Sequence, residues 1–212
     1  MPAPRSSSAP PSLSLEAYAA LVVALAEGLQ TTFWRLSDRL SDHRFRWLSV
    51  DLPPMIELRR ELLPASERIE MLGQSALDYS WLEHVDNSKG VFITAEGLLM
   101  YLQPEESLAL IAQCAKRFPG GQMMFDLPPA WASKLTDRGH RASRRYRVPP
   151  MPFSLGRADA DNLVNTIPGV TAVHRVPMAR PRGVVLGTLA GAVNRIDRIA
   201  DLAPVQLLLE FG

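Results

Sequence analysis

Short apolar runs recur along this chain, most closed by a turn or acidic residue and separated by stretches with helical spacing. That alternation limits the fold more than any other feature. Leu21–Leu25 is five apolar residues closed by Ala26-Glu27-Gly28, the pattern of a buried parallel strand. Phe45–Val50 ends at Asp51, Arg68–Leu72 is a third run, and Gly90–Ala95 is a fourth behind the turn residues Asp86-Asn87-Ser88-Lys89. Gln122–Phe125 ends at Asp126, and Val170–Val176 and Val205–Phe211 read as two closing strands. Between them, Thr31–Leu36 starts a helix or turn. Pro53-Pro54 opens a helix that runs through Leu63 and stops at Pro64, proline being tolerated in a first turn. Pro104–Phe118 is the clearest helix. Glu105 and Glu106 lie in its first turn, Lys116 and Arg117 in its last, and Leu108, Ile111, Ala112 and Ala115 form its apolar stripe. Trp81–Val85 is a helical turn, and Arg157–Ile167 is a further helix. Strands alternating with helices predict an α/β fold with a mainly parallel sheet. In such a sheet the ligand crevice lies beyond the carboxyl ends of the strands, where the strand order reverses.

The chain has 212 residues, 47% of them hydrophobic, which suffices for one well-packed domain and is short for two. We expect a Pro/Ser-rich disordered tail over 1–14, a short helix at Leu15–Ala20, and a single domain over 15–212. A proline-rich, irregular, cap-like insertion occupies 128–154, and Gly183–Gly191 is punctuated by glycine. With 23 basic and 22 acidic side chains the net charge is +1, which argues against a nucleic-acid footprint. The local basic cluster Arg141, Arg144, Arg145 and Arg147 reads as a solvated loop or as a contact for an acidic substrate. The one cysteine, Cys114, sits among Ile111, Ala112 and Ala115 and reads as a core residue; a lone thiol fits a reducing compartment. No apolar run approaches the ~20 residues of a membrane span, and the N-terminus lacks a signal-peptide pattern. The expected setting is the cytoplasm, with no membrane partner and no metal.

Polar residues that can carry chemistry fall at strand ends. Gly28, in the turn after the first strand, lets the backbone approach a ligand closely. Asp51 follows about 20 residues later, where an acid can accept hydrogen bonds from both hydroxyls of a ribose; it can equally cap the helix at Pro53. Ser75, Ala76 and Asp78 follow the third strand, where a loop borders the base of a bound nucleotide; Asp78 can instead cap the turn after it. Glu96 stands at the mouth of the fourth strand, in Thr94-Ala95-Glu96-Gly97-Leu98-Leu99-Met100-Tyr101-Leu102. A carboxylate there needs either a cationic ligand group or a structural salt bridge. The turn is not a G-x-G-x-x-G dinucleotide fingerprint, because Ala26 stands where the first glycine belongs. That argues against an NAD-dependent oxidoreductase.

With these residues in view, the chain resembles the leucine carboxyl methyltransferase family, especially its bacterial branch of class I O-methyltransferases linked to polyketide-type metabolism. The resemblance runs from about Leu21 to Phe211. Four stretches carry it: Val22–Arg35, Trp47–Pro53, Ser75–Asp78 and Ala95–Leu102, with Tyr146–Pro152 in support. It implies a Rossmann-like fold that binds S-adenosylmethionine (SAM), with a seven-stranded sheet whose last strand runs antiparallel. It further implies that Gly28 lies against the methionine end of SAM, that Asp51 holds the ribose, and that Ser75 and Ala76 face adenine with Asp78 supplying a polar contact. Glu96 takes the place of the family's strand-four glutamate. Relatives also carry an N-terminal helical region with an arginine for the SAM carboxylate, a pattern Met1–Ala20 does not show. The expected function is SAM-dependent O-methyl transfer to a carboxylate or hydroxyl of a small molecule. The alternative is a truncated or degenerate methyltransferase-fold protein without catalysis. No residue stands out as catalytic, although His140 is a candidate base for a hydroxyl acceptor and Tyr101 a candidate for the acceptor pocket.

Overall fold

The computed structural model describes residues 21–39, 45–141, 143, 147–176 and 203–212. The readings of 1–14, Leu15–Ala20 and Gly183–Gly191, and the positions of Arg144 and Arg145, lie outside these. Seven described strands form one sheet: β1 (Leu21–Leu25), β2 (Arg46–Asp51), β3 (Ile69–Gly73), β4 (Val91–Ala95), β5 (Gln122–Leu127), β6 (Val170–Val176) and β7 (Val205–Phe211). Their order is β3-β2-β1-β4-β5-β7-β6. β7 runs antiparallel to both neighbours, and β3, β2, β1, β4 and β5 pair in parallel. The order reverses between β1 and β4, so the crevice expected of this topology opens beside β1.

Register decides which residues share the carboxyl edge. Leu25 pairs with Val50, Asp51 with Gly73, Ala24 with Thr94, and Ala95 with Phe125. The Gly28 turn, Asp51, Glu96 and Asp126 therefore emerge on one side of the sheet. Side chains alternate between its faces. Val23, Leu25, Leu48, Val50, Ile93, Ala95, Met123 and Phe125 point into the larger core, while Val22, Ala24 and Trp47 meet Phe33 on the other face.

Among the described residues five α-helices besides the clearest one lie between the strands: α1 (Thr32–Arg39), α2 (Pro53–Leu62), α4 (Ala130–Asp137), α5 (Arg157–Asp161) and α6 (Leu163–Thr166). The clearest helix, α3, spans Pro104–Arg117. Glu106 accepts from the Gln103 backbone N–H and secures its first turn. Its buried stripe is Ser107, Leu110, Ile111, Cys114 and Ala115, whereas Leu108 and Ala112 are only half-buried. The stripe is thus rotated from the one read in the sequence, because Ser107 turns inward and donates its hydroxyl to Leu99 O at 3.0 Å. Cys114 is fully buried, and burial pushes its thiol far above the ordinary range, which fits a packing role.

Two connections differ from expectation. The stretch 128–154 carries helix α4, because Pro128 and Pro129 precede the first helical residue, where proline breaks nothing. The helix expected over Arg157–Ile167 is two short ones, divided at Asn162, which ends α5 and begins α6.

Candidate cofactor site at the strand ends

The turn after β1 has an unusual backbone. Ala26 has φ of 53° and Gly28 φ of 58°. The left-handed region suits glycine but costs an alanine roughly 1–2 kcal/mol. Ala26 adopts it because its N–H is still held by Val50 O at 2.8 Å while the chain must already be leaving the sheet. We predict that Ala26→Gly stabilises the protein modestly, by up to about 1 kcal/mol after the entropy of the added glycine is charged. A thermal melt should show a rise of about 1–3 °C; a fall would contradict the strain.

Gly28 is the hinge of the site. Its N–H donates to Asp51 Oδ2 at 2.9 Å, and a Cβ built on it would meet nothing within 4 Å. The residue therefore borders open space on one side and is tied to β2 on the other. Asp51 Oδ1 accepts from the Leu52 N–H at 2.8 Å. Each carboxylate oxygen thus holds one backbone donor and retains a lone pair for a further one. Leu52 is 58% exposed beside it, a flat apolar neighbour for a base.

Glu27 turns the opposite way. It is buried, accepts from Trp47 Nε1 at 3.1 Å and Ser49 Oγ at 2.5 Å, and pairs with Arg59 Nη2 at 2.5 Å. Burial first, and the nearby Asp51 charge to a lesser extent, push its carboxyl above the ordinary range against the opposing pull of Ser49, Arg59 and Trp47. Arg59, on α2, is itself fully buried; it donates to Gly28 O, and to Gln30 O at 3.2 Å.

On the far side of Asp51, Gln74 N donates to Asp51 O at 2.9 Å and leads into the Ser75–Asp78 loop. Ala76 is buried, while Ser75 and Asp78 are exposed. Asp78 Oδ1 accepts from Ser80 N at 3.1 Å and so caps the 3-10 turn Tyr79–His84, the second of its two sequence readings. Trp81 of that turn donates to Ala76 O at 3.0 Å and holds the loop from inside.

Glu96 follows the last residue of β4, is half-buried and has no hydrogen bond or ion pair among the described residues. The salt-bridge alternative for Glu96 is therefore absent there. Gly97 follows with φ of 65°, its Cβ position also open, and its N–H donates to Asp126 Oδ1 at 2.6 Å. Asp126 was visible in the sequence only as a strand terminus; the structure adds it to the edge beside Glu96. Tyr101, 44% exposed, closes the short 3-10 turn Leu99–Tyr101 beyond them. His140 is exposed in the segment before Arg141, which bridges Arg147, and no described hydrogen bond joins it to this edge. Among the described residues no group of three or more His, Cys, Asp or Glu side chains is placed to hold a metal ion, and no helix is long and apolar enough to cross a membrane.

The edge thus offers two open glycine positions, a carboxylate with free lone pairs beside an exposed apolar side chain, and a second carboxylate without a partner among the described residues. The chain is similar to several known proteins. The tetracenomycin polyketide synthesis O-methyltransferase TcmP of Streptomyces glaucescens is 29% identical over 151 residues, 71% of this chain and 53% of that protein. An O-methyltransferase family protein from Burkholderia thailandensis superposes with a TM-score of 0.58 at 17% identity, covering 95% of this chain and 53% of that one. Human N-acetylserotonin methyltransferase, solved in complex with SAM, superposes with a TM-score of 0.55 at 10% identity, covering 91% and 48%. The chain spans about half the length of these relatives. Its fold is shared with these solved methyltransferases. Residues 13–115, which contain Gly28, Asp51, Ser75, Ala76, Asp78 and Glu96, match the leucine carboxyl methyltransferase family.

Proposed function

We propose that this chain is the SAM-binding core of an O-methyltransferase acting on a carboxylate or hydroxyl of a small molecule. One observation carries the reading: Gly28 and Asp51 are joined by a hydrogen bond at the strand-order reversal, with open space over the glycine and unused acceptor capacity on the acid. SAM, when bound, supplies an electrophilic methyl group on a sulfonium. The protein's task is then alignment and the exclusion of water. Asp51 holds the ribose diol, Leu52 lies against the base with the Ser75–Asp78 loop at its edge, and the bare backbone of Gly28 admits the methionine end. Glu96 places a negative charge near the cationic end of the cofactor. A carboxylate acceptor needs no base, and a hydroxyl acceptor gains from one.

Isothermal titration of the full chain with SAM tests the reading. Binding in the micromolar range is expected; no heat at millimolar ligand would end it. A charge test refines it. Glu96→Gln should weaken SAM more than S-adenosylhomocysteine, because only SAM carries the sulfonium charge. About a fivefold difference between the two losses corresponds to roughly 1 kcal/mol of partly screened attraction. Equal losses would show that Glu96 does not sense that charge.

A further inference from the structure

We infer that Arg59 is a positioning residue for the cofactor turn: its guanidinium, set from inside the fold by Glu27, fixes the backbone of Gly28–Gln30 and thereby the surface that the turn presents to SAM. The inference rests on the methyltransferase reading above and adds to it a residue that touches no ligand.

The starting point is a cost. Helix α2 buries only Ile56 and Arg59, and Arg59 has no exposed surface. A buried guanidinium is expensive even when paired, and an apolar pair of similar volume often serves stability as well or better. Arg59 carries an additional penalty, because its Nε is buried without a hydrogen-bond partner. Stability alone does not account for such a group.

Its bonds show what the group does. Besides the Glu27 carboxylate, Arg59 Nη1 contacts the carbonyl oxygens of Gly28 and Gln30, two residues that flank the exposed Leu29. Gly28 is consequently held from both directions, its carbonyl by Arg59 and its N–H by Asp51 Oδ2. Between two left-handed residues, Ala26 and Gly28, the side chain of Glu27 is anchored by Trp47, Ser49 and Arg59. The planar, multi-donor guanidinium can serve carbonyls and a carboxylate at once, which a lysine ammonium does with less geometric control. A turn that holds an alanine, Ala26, in the sparsely populated left-handed region persists only where its surroundings over-determine it. The Glu27–Arg59 pair supplies that determination, and Asp51 receives the amide it orients.

The test compares wild type with Arg59→Lys and with the double variant Glu27→Leu/Arg59→Met. Each is measured by thermal melt, by titration with SAM and with S-adenosylhomocysteine, and by hydrogen exchange at the Leu29 and Gln30 amides. Arg59→Lys keeps the charge, so it should melt within a few degrees of wild type. It should nonetheless bind both ligands about tenfold more weakly, with faster exchange in the turn. The double variant removes the buried charges together. It should keep a cooperative melt and still show the affinity loss, because no carbonyl of the turn is held. A purely structural role predicts the reverse, with affinity returning wherever the melt does. Binding by both variants within twofold of wild type overturns the inference and leaves the methyltransferase reading intact. A wild type that binds neither ligand removes that reading and this inference together.

Discussion

Asp51→Asn should weaken SAM and S-adenosylhomocysteine alike, by on the order of 30- to 100-fold in titration, which corresponds to roughly 2–3 kcal/mol. The loss has two sources. The carboxylate now accepts from two backbone N–H groups, Gly28 at 2.9 Å and Leu52 at 2.8 Å. Asparagine has one acceptor oxygen, so one of these amides faces an NH2 group and the turn must shift to relieve it. The remaining lone pairs, which we assign to the ribose diol, are also halved, and hydrogen bonds to a charged acceptor are worth about 1.5–3 kcal/mol. The equal loss for the two ligands distinguishes Asp51 from Glu96, because the ribose is common to both and the sulfonium is not. Asp78→Asn serves as the comparison. Asp78 is exposed and caps a turn, so its replacement should change affinity by less than about threefold. Retention of wild-type affinity by Asp51→Asn would remove the ribose assignment.

That prediction rests on residues legible in the sequence, and the reason is local. Gly28, Asp51, the Ser75–Asp78 loop and Glu96 each follow a short apolar run, and in a parallel sheet the position after such a run is the ligand edge. The two closing strands were equally legible, β6 and β7 spanning the expected Val170–Val176 and Val205–Phe211. Arg59 was not. It lies 32 positions from Glu27 and pairs with it only because β1, β2 and α2 converge; helical spacing from Ile56 puts position 59 on the inward face, but an arginine there reads as solvent-facing by its charge. Glu27 was seen as a turn residue, but its inward direction follows from the left-handed backbone at Ala26, which periodicity does not encode. The serine at the head of the α3 stripe escaped for a similar reason. Ser107 is buried because Leu99 O offers it a partner, and that carbonyl belongs to a turn that sequence spacing alone does not place. The same reasoning separates the two fates of proline. Pro64 ends α2, whereas Pro128 and Pro129 stand just ahead of α4, and only the helix register tells these positions apart.

The largest stability effect is expected from Trp81→Ala, which should lower stability by about 3–5 kcal/mol. For a chain of this size the melting temperature should fall by roughly 10–15 °C. Trp81 has no exposed surface, its ring lies 6.4 Å from that of Phe118 in a tilted arrangement, and its indole N–H donates to Ala76 O. It thus joins the end of α3 to the loop that we place beside adenine. Trp81→Phe separates the two contributions. Phenylalanine keeps most of the apolar contact but leaves Ala76 O without its donor, at a cost of about 1–3 kcal/mol. If the indole bond sets the loop, Trp81→Phe should weaken SAM severalfold at temperatures well below its melt, while Trp81→Ala adds the packing loss. A Trp81→Phe variant that binds SAM as wild type does, yet melts lower, would assign Trp81 to the core alone and leave the loop to its own bonds, Leu77 N–H to Ser75 Oγ and Gln74 Nε2 to Asp78 O.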